Sequence, residues 1–128
     1  MVMTALTTAD VRHFDKDLKR MRVEIVAELD RLSGSLDEVR EARDGTQDDE
    51  HDPEGPTLTM EWSRLSGVHH EFADKLARID RALARVDIGT YGFCTRRGEA
   101  IGRERLTAQP ATEYCIDCAR EIEAEKRR

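Results

Sequence analysis

The chain has 128 residues, of which 38% are charged and only 5% are aromatic, and its net charge is −6. This length fits one domain, but the composition is lean for a globule with a deep core and favours long, solvated helices. No apolar run reaches the roughly 18 residues of a membrane span, and residues 1–6 lack a basic stretch followed by an apolar one. We therefore expect a cytoplasmic protein with no membrane association.

The first predicted element is a long helix. Apolar residues recur in steps of three and four, which is the spacing of one apolar helix face. Thr8 is the predicted N-cap, and Asp10 would lie in the first turn. The apolar series consists of Val11, Phe14, Leu18, Met21, Ile25, Leu29, Leu32, Leu36 and Val39.

An acidic connector follows this helix. Between Asp44 and Glu54 there are six acids and no Lys or Arg, and this excess equals that of the whole chain, which has 27 acids and 21 bases. Direct, sequence-specific binding of DNA is not expected from this balance, and a basic or metal-bearing partner is favoured. Taken alone, such a loop is more often a solvated linker than a functional tip. The six acids are Asp44, Asp48, Asp49, Glu50, Asp52 and Glu54.

A second helix is predicted from Pro56 to Gly89, with an apolar series that runs from Leu58 to Val86. Each helix has a single apolar stripe, so neither can bury that stripe alone. The short connector lets the two helices fold back on each other. We therefore predict a mainly α protein in which residues 1–88 form a long antiparallel helical hairpin, or coiled coil, with an acidic tip at 44–56.

Residues 89–128 are predicted to form a small zinc-ribbon-like module that ends in a short helix. Cys94 and Arg97 are followed, after a 17-residue interval, by Cys115 and Cys118. Two Cys-x-x-Cys knuckles would place four sulfurs around one zinc ion, but here Arg97 occupies the second ligand position. A guanidinium cannot ligate zinc, so a site made of the three cysteines would need water or an outside ligand.

Metal-free folding is the alternative for this module, and the sequence leaves both states open. In the metal-free state Arg97 would offset a thiolate and donate a hydrogen bond to it. The core would then come from the larger apolar and aromatic side chains, namely Tyr91, Phe93, Ile101, Leu106 and Tyr114.

The same module resembles the zinc-finger signature of the DksA/TraR family of RNA polymerase-binding transcription regulators. The resemblance covers a stretch of 28 residues, and it extends in architecture to the predicted hairpin. It rests on Tyr91-Gly92-Phe93-Cys94, Gly98, Ile101, Arg105-Leu106-Thr107-Ala108-Gln109-Pro110 and Cys115-Ile116-Asp117-Cys118.

The resemblance implies a mechanism. In that family the hairpin enters the secondary channel of RNA polymerase, and acids at its tip approach the catalytic centre and alter promoter complexes, often together with ppGpp. The family's Asp-x-x-Asp-x-Ala tip is matched by Asp49 and Asp52, with Glu54 in the alanine position. The neighbouring Asp48 and Glu50 complete the polymerase-active tip that we expect. No residue matches an alarmone site.

Two other classes of function remain open. Cys115 and Cys118 could form a redox-active thiol pair, although no thioredoxin-like alternation of strands and helices surrounds them. The apolar seam could instead pair with another chain, as in a structural adaptor or coiled-coil dimer. The sequence contains no nucleophile-and-base constellation and no Gly-rich phosphate loop, so an enzyme is not expected.

Overall fold

The computed structural model describes residues 5–45 and 55–128, and these residues form four helices. They are α1 (Thr8–Gly45), α2 (Gly55–Ile88), α3 (Arg103–Ala108) and α4 (Ile116–Lys126). The predicted mainly α class, with two long helices and a short terminal one, is confirmed. Within the same ranges the only β pairing is an isolated antiparallel bridge between Phe93 and Ala100. None of the described helices combines the length and apolarity that crossing a bilayer requires.

Helix α1 begins with a reciprocal cap. The Asp10 backbone N–H donates to Thr7 Oγ1, and the Thr7 N–H donates to Asp10 Oδ2, each over 3.1 Å. The Thr7 carbonyl also accepts the first helical hydrogen bond, from the Val11 N–H. These contacts form a capping box, so the N-cap is Thr7 and the predicted cap at Thr8 is wrong by one residue. Thr7, and not Thr8, is the N-cap because the Asp10 carboxylate accepts a hydrogen bond from the backbone N–H three residues before it.

The described chain forms two compact units. The first contains the start of α1 up to Arg22 and everything from Ala77 onward. In this unit α1 runs antiparallel to the later part of the chain. The rings of Phe14 and Tyr91 pack in a tilted arrangement with their centroids 5.9 Å apart. Arg22 Nε donates to Asp80 Oδ1 over 2.7 Å. The buried side chains of this unit are those of Phe14, Leu18, Ile79, Ala82, Tyr91, Cys94, Ile101, Leu106, Cys115 and Cys118.

The second unit spans residues 23–76 and contains the remaining lengths of α1 and α2. Its buried apolar side chains, among the residues described, are Ile25, Leu32 and Leu65. Ser33 Oγ lies 3.4 Å from His69 Nε2 across the helix pair. In the first unit Phe14 meets Tyr91 and Arg22 meets Asp80, and in the second unit Ser33 of α1 faces His69 of α2; these pairs are those of the predicted antiparallel hairpin.

The acidic connector falls largely outside the described residues. Asp48, Asp49, Glu50, Asp52 and Glu54 all lie between residues 46 and 54 and are not described. Their role as a tip therefore stays a prediction, as does the division at residue 88. Asp44, in the last turn of α1, is described and is exposed.

A web of arginine contacts fixes the loop between α3 and α4. Arg105 Nε donates to the Tyr114 carbonyl over 2.8 Å, and Arg85 Nη2 donates to the Thr112 carbonyl over 3.4 Å. The carboxylate of Glu113 accepts from both Arg81 and Arg85. Because this loop leads directly into Cys115, these contacts set the position of the second cysteine pair.

Candidate metal centre

Three thiols meet inside the first unit. The Sγ atoms of Cys94, Cys115 and Cys118 all lie within 4.8 Å of one another, and all three residues are buried. Among the described residues, no other His, Cys, Asp or Glu joins this group. The three predicted metal ligands are therefore brought together, although 20 residues (95–114) lie between Cys94 and Cys115 in the sequence.

The first knuckle is built by local turn geometry. The Cys94 carbonyl accepts from the Gly98 N–H over 2.8 Å, and the Cys94 N–H donates to the Glu99 carbonyl over 2.7 Å. Gly98 has a φ of 75°, a left-handed conformation that glycine adopts without steric cost. The turn returns the chain to the Phe93–Ala100 bridge and directs the Cys94 sulfur inward.

The second knuckle is the start of α4. Cys115 is the N-cap residue of this helix, and its sulfur accepts from the Cys118 N–H over 3.5 Å. Since Cys118 lies in the first helical turn, its thiol and that of the cap face the same side. Both sulfurs are thus held by the geometry of one helix terminus.

The environment distinguishes the thiols. Burial raises the pKa of Cys94, but the backbone N–H groups of Cys115, Arg97 and Arg96 and a hydrogen bond from Cys118 outweigh it and lower that pKa to about 7. Burial, followed by hydrogen bonds with Cys115 and Cys94, raises the pKa of Cys118 to about 12. In the absence of metal the cluster thus favours one thiolate at Cys94, hydrogen-bonded by its neighbours.

Arg97 does not use its side chain in the predicted way. Its guanidinium donates to a Glu121 carboxylate oxygen on α4, instead of to a thiol. Glu121, followed by Cys118, raises the pKa of Arg97, so the charge does act on the thiol cluster. The predicted side-chain hydrogen bond to a thiolate is wrong, because the guanidinium is bound to the Glu121 carboxylate, which is a strong acceptor. The predicted offset of thiolate charge stays a prediction.

Arg96 adds further contacts between the first knuckle and α4. Arg96 Nη2 donates to Glu125 Oε1 over 2.8 Å, and Arg96 Nη1 lies 3.9 Å from Glu121 Oε2. We call Arg96, Arg97, Glu121 and Glu125 the ionic clasp. Sequence reasoning missed it, although two acids one helical turn apart on α4 opposite two adjacent arginines were a usable signal.

Zinc fits this site in three of its four positions. Tetrahedral bonds of about 2.3 Å place sulfurs about 3.8 Å apart, so thiols within 4.8 Å need only a small contraction. Cys94, Cys115 and Cys118 would hold the ion and would do so as thiolates. Bound zinc would supply structural cross-linking between the first knuckle and α4.

The core of the module is largely the predicted one. Tyr91, Ile101 and Leu106 are buried, and Tyr114 is half-buried. Phe93 was predicted in the core but is 39% exposed. Residues next to each other on an extended segment point to opposite sides, and Cys94 takes the inward direction.

Comparison with known proteins connects this centre to a family. The sequence model described as the prokaryotic dksA/traR C4-type zinc finger matches residues 89–124. The matched segment contains both knuckles, and the chain has three cysteines where the name of the family specifies four. The zinc-finger resemblance of the sequence is thus confirmed, with Arg97 in place of one ligand.

Relatives match over longer stretches. The RNA polymerase-binding transcription factor DksA of Haemophilus influenzae is 30% identical over 113 residues, which cover 84% of this chain and 70% of that protein. General stress protein 16O of Bacillus subtilis is 29% identical over 119 residues, covering 93% and 72%. An uncharacterised protein of Aquifex aeolicus is 52% identical, but the chain spans only 34% of its length.

The fold agrees with these alignments. The solved structure of the transcription factor DksA2 from Pseudomonas aeruginosa matches with a TM-score of 0.79 and 25% identity, covering 94% of this chain and 88% of that one. The match includes the long helices as well as the cysteine-bearing module. This chain therefore belongs to the DksA/TraR family, and its zinc-finger module carries three of the four cysteine ligands.

Proposed function

We propose that this protein is a cytoplasmic transcription regulator that binds RNA polymerase and modulates promoter complexes by inserting its helical hairpin into the secondary channel. The proposal is supported by the sequence position of the acidic segment, which lies between the end of α1 and the start of α2 in a chain of this family. A relative of 30% identity is named as RNA polymerase-binding. The proposed action is non-enzymatic.

The charge distribution supports separate roles for the acidic connector and for the rest of the chain. Outside the segment from Asp44 to Glu54, acids and bases are equal in number at 21 each, so the net negative charge belongs to the connector. Clustered carboxylates attract basic side chains and can act on a bound Mg²⁺ through hard oxygen ligands. We assign affinity for polymerase to the helices and the cysteine-bearing module, and the effect on promoter complexes to the connector.

Five acids carry this effect in the proposal. Asp49 and Asp52 match the two aspartates of the family's tip, and Glu54 replaces its alanine with a further charge. Asp48 and Glu50 stand on either side of Asp49 in the sequence and add two further charges. An extra carboxylate next to the matched pair would strengthen the interaction with a cationic centre.

The test separates binding from effect. Purified RNA polymerase is used in a pull-down and in a promoter-complex lifetime assay, with the wild type and the double variant Asp49→Ala/Asp52→Ala. We expect the variant to be retained by polymerase and to lose its effect on the lifetime of the complex. Equal activity of the two proteins would remove the role that we assign to these carboxylates.

A charge-matched control is available in helix α1. Asp30 and Glu41 are exposed residues of α1, so Asp30→Ala/Glu41→Ala removes the same charge outside the connector. This control should keep the wild-type effect on the lifetime of the promoter complex. If neither the wild type nor the control is retained by polymerase, the proposal itself is wrong, and an adaptor that pairs through its apolar seam becomes the better account, which sedimentation would show as a dimer.

A further inference from the structure

The chain just before Cys115 is held by three other parts of the fold. We call residues 112–114 the anchored segment, because each of their carbonyls accepts a hydrogen bond from a different element. The first accepts from Arg85 Nη2 of α2 over 3.4 Å, and the third accepts from Arg105 Nε of α3 over 2.8 Å. The middle one accepts from the Thr95 N–H, in the first knuckle, over 2.9 Å. These bonds join α2, α3 and the first knuckle at the entrance to the second knuckle.

Arg85 contacts the approaches to both knuckles. Its Nη2 donates to the Thr112 carbonyl, and its Nη1 donates to Glu113 Oε1 over 3.4 Å. Its own backbone carbonyl accepts from the N–H groups of residues 90 and 91, over 2.9 and 3.2 Å, where the chain leaves α2. One residue of α2 therefore fixes the chain before the first knuckle as well as before the second.

The guanidinium of Arg85 is held in a nearly buried position. The side chain is 11% exposed, and within the described ranges its Nε has no hydrogen-bond partner. A buried donor without a partner costs free energy that an apolar side chain would avoid. Glu113, which is also mostly buried, supplies the counter-charge. A pair of this kind is better suited to fixing the geometry of the anchored segment than to raising the stability of the protein.

We propose that Arg85 and Glu113 are positioning residues of the metal centre, which hold the two knuckles at the separation that zinc requires. The three sulfurs already lie within 4.8 Å of one another, so little chain entropy is lost when they close around an ion. Zinc binding and the attachment of the anchored segment to α2 are then linked, because each lowers the cost of the other. This proposal is independent of the action on polymerase, since it concerns only metal affinity.

The experiment measures the zinc affinity of the full-length protein anaerobically, by competition with a chromophoric chelator. It is done at a temperature at which circular dichroism shows the metal-free protein to be folded. The variants are Arg85→Lys, which keeps the charge but lacks the fork that reaches two acceptors, and Glu113→Gln. Each should bind zinc about 10- to 100-fold more weakly than the wild type, as is usual when a residue that orients metal ligands is lost.

The double variant Arg85→Lys/Glu113→Gln tests whether the two residues act together. Because both residues act through one contact, the double variant should lose little more zinc affinity than the weaker-binding single variant does. Losses of binding free energy that add in the double variant would contradict the proposal.

Two controls separate positioning from general stability. Arg64→Lys makes the same exchange on α2 in an exposed pair with Glu61, and should leave zinc affinity within about threefold of the wild type. Leu18 is fully buried in α1, so Leu18→Val destabilises the fold without removing an ion pair or a hydrogen bond, and should also keep the wild-type affinity. The proposal is overturned if Arg85→Lys and Glu113→Gln bind zinc as tightly as the wild type, or if Leu18→Val loses as much affinity as they do.

Discussion

The Tyr91 hydroxyl donates a hydrogen bond to the Pro110 carbonyl over 2.8 Å and so ties the end of the second long helix to the loop before Cys115. Burial raises the pKa of Tyr91 above its usual range. Tyr91→Phe keeps the ring and removes the bond, and should lower the free energy of unfolding by about 1 kcal/mol. Urea denaturation measures this loss.

The control for this prediction is Tyr114→Phe. Within the described residues no hydrogen bond of the Tyr114 hydroxyl is found, so this change should leave the free energy of unfolding nearly unaltered. Equal losses of unfolding free energy in the two variants would show that the hydrogen bond from Tyr91 to Pro110 does not contribute the predicted stability.

Glu113 forms ion pairs with two arginines, Arg81 and Arg85. Its Oε1 accepts from Arg81 Nε over 2.5 Å and lies 3.4 Å from Arg85 Nη1, and the Arg85 side chain is only 11% exposed. Glu113→Gln leaves a nearly buried guanidinium without its counter-charge and should destabilise the protein by about 1–3 kcal/mol. Thermal unfolding of this variant is compared with Glu61→Gln, which breaks an exposed pair with Arg64 and should change stability by about 0–1 kcal/mol.

Gly92 occupies a position where only glycine fits without strain. Its φ is 93°, and an added Cβ would lie 2.8 Å from Leu6 Cδ1. Gly92→Ala should cost about 1–2 kcal/mol from backbone strain. By contrast, Gly34 lies inside α1 with open space around it, so Gly34→Ala should stabilise by about 0.5–1 kcal/mol. Opposite shifts in melting temperature are the expected result, and shifts of the same sign would contradict it.

Leu106 of α3 is fully buried. Leu106→Ala removes one methine and two methyl carbons from a packed core and should destabilise the protein by about 2–5 kcal/mol. Met60 is 73% exposed, so Met60→Ala tests the same kind of truncation outside the core and should change the free energy of unfolding by less than about 0.5 kcal/mol. Chemical denaturation of both variants checks the difference.

The capping box gives a prediction about pH. Hydrogen bonding from the Thr7 backbone N–H outweighs burial and, with Thr7 Oγ1 and Arg103, lowers the pKa of Asp10 from its ordinary value. A carboxyl whose pKa is depressed in the folded state stabilises the fold above the unfolded pKa, and this stabilisation is lost as the pH falls through the folded value. An NMR titration should give Asp10 a pKa below that of an ordinary aspartate. Thr7→Ala should cost about 1 kcal/mol of stability at neutral pH.

The long helices could be predicted because their signals are local. The apolar spacing, Pro56 and Gly89 define segments whose bounds agree with the structure to within a few residues. The three metal ligands could be predicted for a similar reason, since the knuckle spacing is itself local. Arg97 was recognised as the residue that replaces a ligand, but its partner was not.

The missed contacts join residues that are far apart in sequence. Arg97 and Glu121 are separated by 24 residues, and Arg81 and Glu113 by 32. Nothing in the local pattern selects these pairs from the many other possible ion pairs of a chain in which 38% of residues are charged. Phe93 was misplaced because periodicity alone does not reveal which side of a short extended segment faces inward.

The distribution of buried side chains along α1 and α2 has a consequence for local opening. From residue 23 to residue 76 only Ile25, Leu32 and Leu65, of the side chains described there, are buried, whereas the described part of the other unit has ten buried side chains. Amide protons near the middle of this chain should exchange with solvent through low-energy fluctuations, while those around Leu106 and Cys118 should exchange only on global unfolding. The long helices would then adjust their path to a partner at small energetic cost, and the cysteine-bearing end would keep its form.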